Sequence, residues 1–96
     1  MSGFIRLVTF EANDEAIDAV VKEIQGADGP PPGVDASKIA VLADRSTGKL
    51  YIGTLFESEE ALNAADAIFN AMTPPEDGSM KRTAVDKLEV LLVRSA

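Results

Sequence analysis

The stretch Lys38-Ile-Ala-Val-Leu-Ala-Asp-Arg-Ser-Thr-Gly-Lys-Leu-Tyr-Ile-Gly-Thr-Leu-Phe-Glu-Ser-Glu-Glu-Ala-Leu62 decides the fold. It holds two apolar runs, Lys38–Ala43 and Leu50–Phe56, which read as strands. The polar residues between them, 44–49, form a tight hairpin loop in which Gly48 supplies a positive φ. Ser58 then caps a helix, with Glu59 and Glu60 in the first turn, where the helix dipole favours acids. Leu62, Ala65, Phe69 and Met72 recur at the spacing of a buried helical stripe, and Thr73-Pro74-Pro75 ends it.

Working outward, Phe4–Phe10 is a run of apolar and β-branched residues broken only by Arg6, and reads as the first strand. Asn13 and Asp14 are capping types, Ile17, Val20, Val21 and Ile24 follow at helical spacing, and Gly26 stops the helix. The segment 26–34, with Pro30-Pro31-Pro32 inside it, is neither helix nor central strand and reads as a stiff connector. Downstream, a polar loop runs through Thr83 and the last strand falls within Val85–Arg94. The order β-α-β-β-α-β predicts a ferredoxin-like α+β fold. Its four-stranded, mainly antiparallel sheet carries both helices on one face. At 96 residues, 1–96 makes a single domain.

A sheet with one wet face should alternate apolar and polar residues along each strand. These strands do not: Phe4, Val8 and Phe10 take one parity of the first strand while Ile5 and Leu7 take the other. Leu50, Ile52 and Phe56 likewise oppose Tyr51 and Leu55, and Leu88, Val90 and Leu92 oppose Leu91 and Val93. Each such side chain left in water forgoes about 1.5–3 kcal/mol, against a total stability of about 5–15 kcal/mol for a domain. The expectation is a homodimer, sheet against sheet through the open face.

Composition closes much of the catalytic menu. The chain has no cysteine and no histidine, which removes thiol nucleophiles, thiolate metal sites, the commonest general base and the usual haem ligand. The net charge of −7 argues against nucleic acid as a partner. No apolar run reaches the ~20 residues of a membrane span, and the stretch from Met1 to Arg6 lacks the basic lead of a signal peptide. The expected partners therefore include neither nucleic acid nor membrane, and the default location is cytoplasmic.

Local motifs are mostly structural. Gly48-Lys49 lacks the earlier glycine and following hydroxyl of a phosphate-binding loop, since Ala43 and Leu50 stand there. Tyr51 and Phe56 lie on opposite parities, unlike the paired aromatics of an RNA-recognition sheet. Glu11-Ala12-Asn13-Asp14 is neither a two-cysteine metal loop nor a glycine-rich anion loop. Glu57, Glu59 and Glu60 diverge around a helix start and read as a capping cluster, so no metal site is expected. Glu76 and Asp77 solvate a loop. Arg6, a cation inside an apolar strand, must either meet an acidic partner or face a polar cavity. Tyr51, the one tyrosine, reads as core with its hydroxyl at an edge, or as a donor to a ligand. Asn63, Asp66 and Asn70 share the polar, wet side of the second helix.

The stretches Val41–Lys49 and Ile52–Leu62, with Phe56-Glu-Ser-Glu-Glu-Ala61 at the strand-to-helix junction, resemble the dimeric α+β-barrel proteins of the antibiotic-biosynthesis-monooxygenase type. That resemblance implies a dimer with facing sheets and a pocket between helices and sheet. Its members include cofactor-independent oxygenases acting on polycyclic phenols, haem-degrading enzymes and proteins without known activity. The chain departs from the pattern at several points. Ala65 stands where catalytic members bring a tryptophan, and Phe56 replaces the junction tryptophan. Thr73-Pro74-Pro75 occupies the place of the haem-degrading members' histidine, and the first strand lacks their asparagine.

Two functions follow as expectations. The first is a ligand-binding or interaction dimer without a catalytic constellation, taking at most a small apolar or aromatic ligand and no cofactor. The alternative is a cofactor-independent monooxygenase-like enzyme for a small aromatic or polyketide-type substrate. There Arg6 would stabilise a phenolate, Tyr51 would orient it and Asn63 would assist.

Overall fold

The computed structural model describes residues 3–27, 29, 33–71 and 80–95. Six elements follow in the order β1 (Gly3–Ala12), α1 (Asp14–Gly26), β2 (Lys38–Asp44), β3 (Lys49–Phe56), α2 (Glu59–Ala71) and β4 (Met80–Val90). They build one four-stranded sheet in the order β2-β3-β1-β4, every neighbouring pair antiparallel. This is the α+β, ferredoxin-like arrangement. Met72, the Thr73–Pro75 stop, Glu76, Asp77 and the Pro30–Pro32 connector lie outside the described residues.

Both helices start where their caps place them. The Asn13 side chain accepts a hydrogen bond from the Ala16 amide at 2.8 Å, and the Ser58 hydroxyl oxygen accepts one from the Ala61 amide at 3.1 Å. Each satisfies one amide that the first helical turn leaves without a partner. In the hairpin, Gly48 adopts φ +70°, and its carbonyl accepts from the Ala12 amide at 2.9 Å, tying the turn to the end of β1. The Asp44 carboxylate accepts from the Ser46 hydroxyl at 2.6 Å and closes the loop from within.

Strand register sorts side chains into rows. Phe4, Val8 and Phe10 of β1 share a face with Leu50, Ile52 and Phe56 of β3, under the helices. One core lobe, under α1, packs Ala12, Ala16, Ile17 and Leu50. The other, under α2, packs Val34, Phe56, Leu62 and Ala65. Between the two lobes a more polar row crosses the sheet: Ile39, Thr54, Arg6 and Lys87 stand side by side on successive strands. Ile5, Leu7, Tyr51, Leu55, Leu42 and Leu88 occupy the opposite, open face, which carries neither helix.

β4 differs from its sequence expectation at both ends. It begins at Met80 instead of Val85, and it stops at Val90, short of Arg94. Pairing with β1 overrides local composition here, because β1 offers a ladder from Ala12, opposite Met80, to Gly3, opposite Val90. Among the described residues the ladder with β1 ends at the Gly3–Val90 pair. Leu91, Leu92 and Val93 lie outside the strand, 82%, 78% and 71% exposed, and do not alternate across the sheet.

Phe56 and Leu50 have no exposure at all. Phe56→Ala is expected to destabilise the protein by about 3–5 kcal/mol through lost transfer energy plus a cavity. Gly48→Ala, by contrast, should cost only about 1 kcal/mol of left-handed backbone strain. Urea unfolding of the two variants in parallel measures both.

Candidate functional site

The polar row becomes a cluster where α2 crosses β1 and β4. Helical spacing puts Asn63, Asp66 and Asn70 on one stripe of α2, at i, i+3 and i+7, facing the strand cations. The stripe is not simply the wet face that sequence reading assigns. Asp66 is largely buried, and its Oδ1 accepts from Nε of Arg6 at 2.8 Å. Its Oδ2 lies 3.1 Å from Nζ of Lys87. Lys87 also donates to Oδ1 of Asn63 at 3.3 Å. Oδ1 of Asn70 accepts twice, from Nη2 of Arg6 at 3.3 Å and from Nη1 of Arg82 at 3.1 Å. The Arg6 guanidinium further sits 4.9 Å from the centroid of the Phe69 ring, a cation–π contact.

Arg6 is 5% exposed, so its environment settles which of its two sequence readings holds: it meets an acidic partner within its own chain. Lys87 stands directly opposite Arg6 on the neighbouring strand, and two like charges so placed repel. Asp66 resolves this by offering one oxygen to each. The Arg6 hydrogen bond, followed by that of Lys87, holds the Asp66 carboxyl below the usual carboxylate range despite burial, which opposes the shift. Asp66 is thus ionised at neutral pH and fully engaged. It is a structural counter-ion, poorly placed to act as a proton-transfer group.

Three cations and one carboxylate meet in this seam, and each side-chain oxygen that α2 contributes already accepts a bond. Among the described residues no buried side-chain polar atom lacks a partner. Beside the seam an open groove of about 310 Å³ is lined by Phe4, Leu62, Leu88, Asn63 and Lys87, with the carboxylates Glu59 and Glu89. Asn63 is therefore the one predicted site residue that reaches both the seam and a cavity. No group of three or more metal-ligating carboxylates occurs among the described residues.

Tyr51 is not part of this arrangement. It pairs with Thr9 and Leu42, on the open face, whereas Arg6 pairs with Thr54 on the helix side. The sheet itself separates the two, so one substrate inside a protomer cannot touch both. Sequence reading missed Lys87, Arg82 and the inward role of Asp66 and Asn70. The usable signal was Arg6, whose need for a carboxylate pointed to an acidic residue on a helix face packed over the sheet.

No family model matches the chain, and neither a curated protein nor a solved structure does so. What the coordinates define is the class: an α+β sandwich of ferredoxin-like topology, with a charged seam on the helix side and an apolar open sheet face. Among the described residues no helix is long and apolar enough to cross a membrane.

Asp66→Asn should destabilise the fold by about 3–5 kcal/mol, because it leaves Arg6 buried without its counter-ion. Replacing both partners with apolar residues, Arg6→Met with Asp66→Leu, should recover most of that loss. The pH response has a definite sign. Asp66 is held low in the folded state, so its stabilisation is present above the unfolded carboxylate pKa of about 3.9 and fades as acid protonates the folded carboxyl. Acid titrations of thermal stability should therefore lose part of their slope below about pH 4 in Asp66→Asn.

Proposed function

We propose that this protein works as a ligand-binding or interaction homodimer, assembled through the open face of the sheet. The supporting observation is the apolar content of that face: Ile5, Leu7, Tyr51, Leu55, Leu42 and Leu88 share it with no helix over them, with the charges Asp86 and Lys38 on its edge strands. A second copy covers such a patch on both molecules at once. The likeness of Val41–Leu62 to the antibiotic-biosynthesis-monooxygenase type belongs to the same proposal, since that resemblance also implies facing sheets.

A small apolar or aromatic ligand is placed in the groove at Phe4, Leu62 and Leu88, with Asn63 and Lys87 available to a polar substituent. The cofactor-independent oxygenase reading loses the pair it was built on, because Arg6 is committed to Asp66 and Tyr51 faces the other way. Such an enzyme would have to work with Asn63 and Lys87 alone, and both already hydrogen-bond within the seam. The binding role is the better supported of the two.

Sedimentation equilibrium at micromolar concentration is expected to give a dimer. Leu55→Arg, on the open face, should yield a folded monomer, because a charge there stays in water when the second copy is absent. A monomeric parent protein overturns the proposal. For the ligand, a thermal-shift screen of hydroxylated aromatics should raise the melting temperature of the parent more than that of Lys87→Ala. Equal shifts remove Lys87 from the binding site.

A further inference from the structure

We infer that the two copies meet with their hairpin ends together, about a two-fold axis running along the strands, so that Lys49 of one copy faces Glu11 of the second and Lys81 faces Asp44. The inference rests on the homodimer reading above and specifies how the two open faces are matched. One row of four charges carries it.

Asp44, Lys49, Glu11 and Lys81 stand side by side on β2, β3, β1 and β4, in that order across the sheet. All four are exposed. Their chain neighbours Ala12, Leu50 and Met80 pack into the lobe under α1. Side chains alternate along a strand, so the charged row stands on the open face. Its signs run minus, plus, minus, plus. Such alternation also suits cross-strand pairing within one sheet, yet among the described residues none of the four makes an ion pair in its own chain. Asp44 spends one oxygen, Oδ1, on the hairpin. Each of the other rows that cross all four strands on this face holds at most one charge.

Two sheets stacked by a two-fold axis between them can have that axis along the strands or across them. An axis along the strands, between β3 and β1, keeps each row at its own height and reverses the strand order. It lays β2 over β4 and β3 over β1. The sign pattern read backwards is its own complement, so every charge of the row meets an opposite one. A lysine and a carboxylate side chain together span the ~10 Å between packed sheets. Aligned sheets cross at about 30°. Because the signs alternate, a sideways shift of one strand spacing still leaves each lysine beside an acid of the second copy. An axis across the strands keeps the strand order and turns the rows end for end. It matches Asp44 with Lys38, but it sets Lys49, Glu11 and Lys81 over Leu55, Ile5 and Leu88. Three charges then lose water without gaining a counter-ion.

The edge charges agree with the same axis. Lys38 on β2 and Asp86 on β4 fall on facing edges, two residues apart in register, with opposite signs. Ile5, Leu7 and Leu55, on the two central strands, meet their counterparts close to the axis. The apolar middle supplies the burial, while charges at the rim select one orientation over another.

Charge exchange between two separately tagged full-length chains tests this. Glu11→Lys makes the row net positive in one chain, and Lys49→Glu with Lys81→Glu makes it wholly negative in the other. All three sites are exposed, and far-UV circular dichroism checks that each variant keeps the fold. Lys49→Glu alone is the milder second variant. Each variant by itself should dimerise at least about tenfold more weakly than the parent, because like charges now face each other. Mixed in equal amounts, the two chains should form a heterodimer at least about tenfold tighter than either homodimer, with an advantage that shrinks as salt rises. Repulsion confined to a single chain is not relieved by mixing. Variants that dimerise like the parent, or a mixture with no preference for the heterodimer, overturn the matched rows and leave the face-to-face dimer standing. A parent protein that sediments as a monomer overturns both.

Discussion

A guanidinium in the middle of a sheet sets the terms for everything packed above it. Arg6 lies on the central strand pair, between an apolar lobe under α1 and another under α2. Burying a charge there without a partner would cost several kcal/mol. The carboxylate that meets it is Asp66, so the ion pair and the buried Leu62 and Ala65 together seat α2 on the sheet. Once α2 is fixed, Asn70 and Phe69 complete the shell around Arg6, and Lys87 takes the second oxygen of Asp66.

This arrangement divides the two faces of the sheet by chemistry. The buried charged and amide groups gather on the helix side, while the open side is mainly apolar, with Tyr51 as its one phenol and Asp86 and Lys38 at its edges. A group committed to holding the fold is a poor candidate for catalysis, because its hydrogen-bonding capacity is spent before any substrate arrives. The proposed binding role draws on this same division. The domain's largest unspent resource is apolar surface.

Much of the fold is readable in the chain because local signals agree with one another. Asn13 and Ser58 cap the helices they were expected to cap, and the Gly48 turn joins the two strands it was expected to join. The last strand is harder to read, because Met80-Lys-Arg-Thr83 is polar and Leu91-Leu-Val93 is apolar, yet only the former is paired. A strand's extent is set by its neighbour, and that neighbour lies some seventy residues away in sequence. Asp66 is hidden for a related reason. It follows Ala65 on the helix, at the boundary of the buried stripe, and only a partner sixty residues distant turns it inward. Arg6 is visible in the sequence as an anomaly, but the identity of its partner requires the crossing of α2 over β1. Tyr51 shows the converse, since parity along β3 sets it on the face away from Arg6.

The register shift between β1 and β4 has a consequence for how this chain can vary. Thr9 faces Ala84, but Phe10 faces Arg82, so Thr83 is an extra residue, and its hydroxyl donates to the Thr9 carbonyl at 3.2 Å. That single insertion exchanges inside for outside along the first part of β4. With it, Arg82 reaches Asn70 and Met80 joins the lobe beneath α1. Were Thr83 drawn into the ladder opposite Phe10, Lys81 would press against Ala12 and Arg82 would point away from the helices. Loss of Thr83 alone would keep Arg82 opposite Phe10, whereas its entry into the ladder would turn Arg82 outward, so the bulge at Thr83 sets the phase for a third of the cations in the seam.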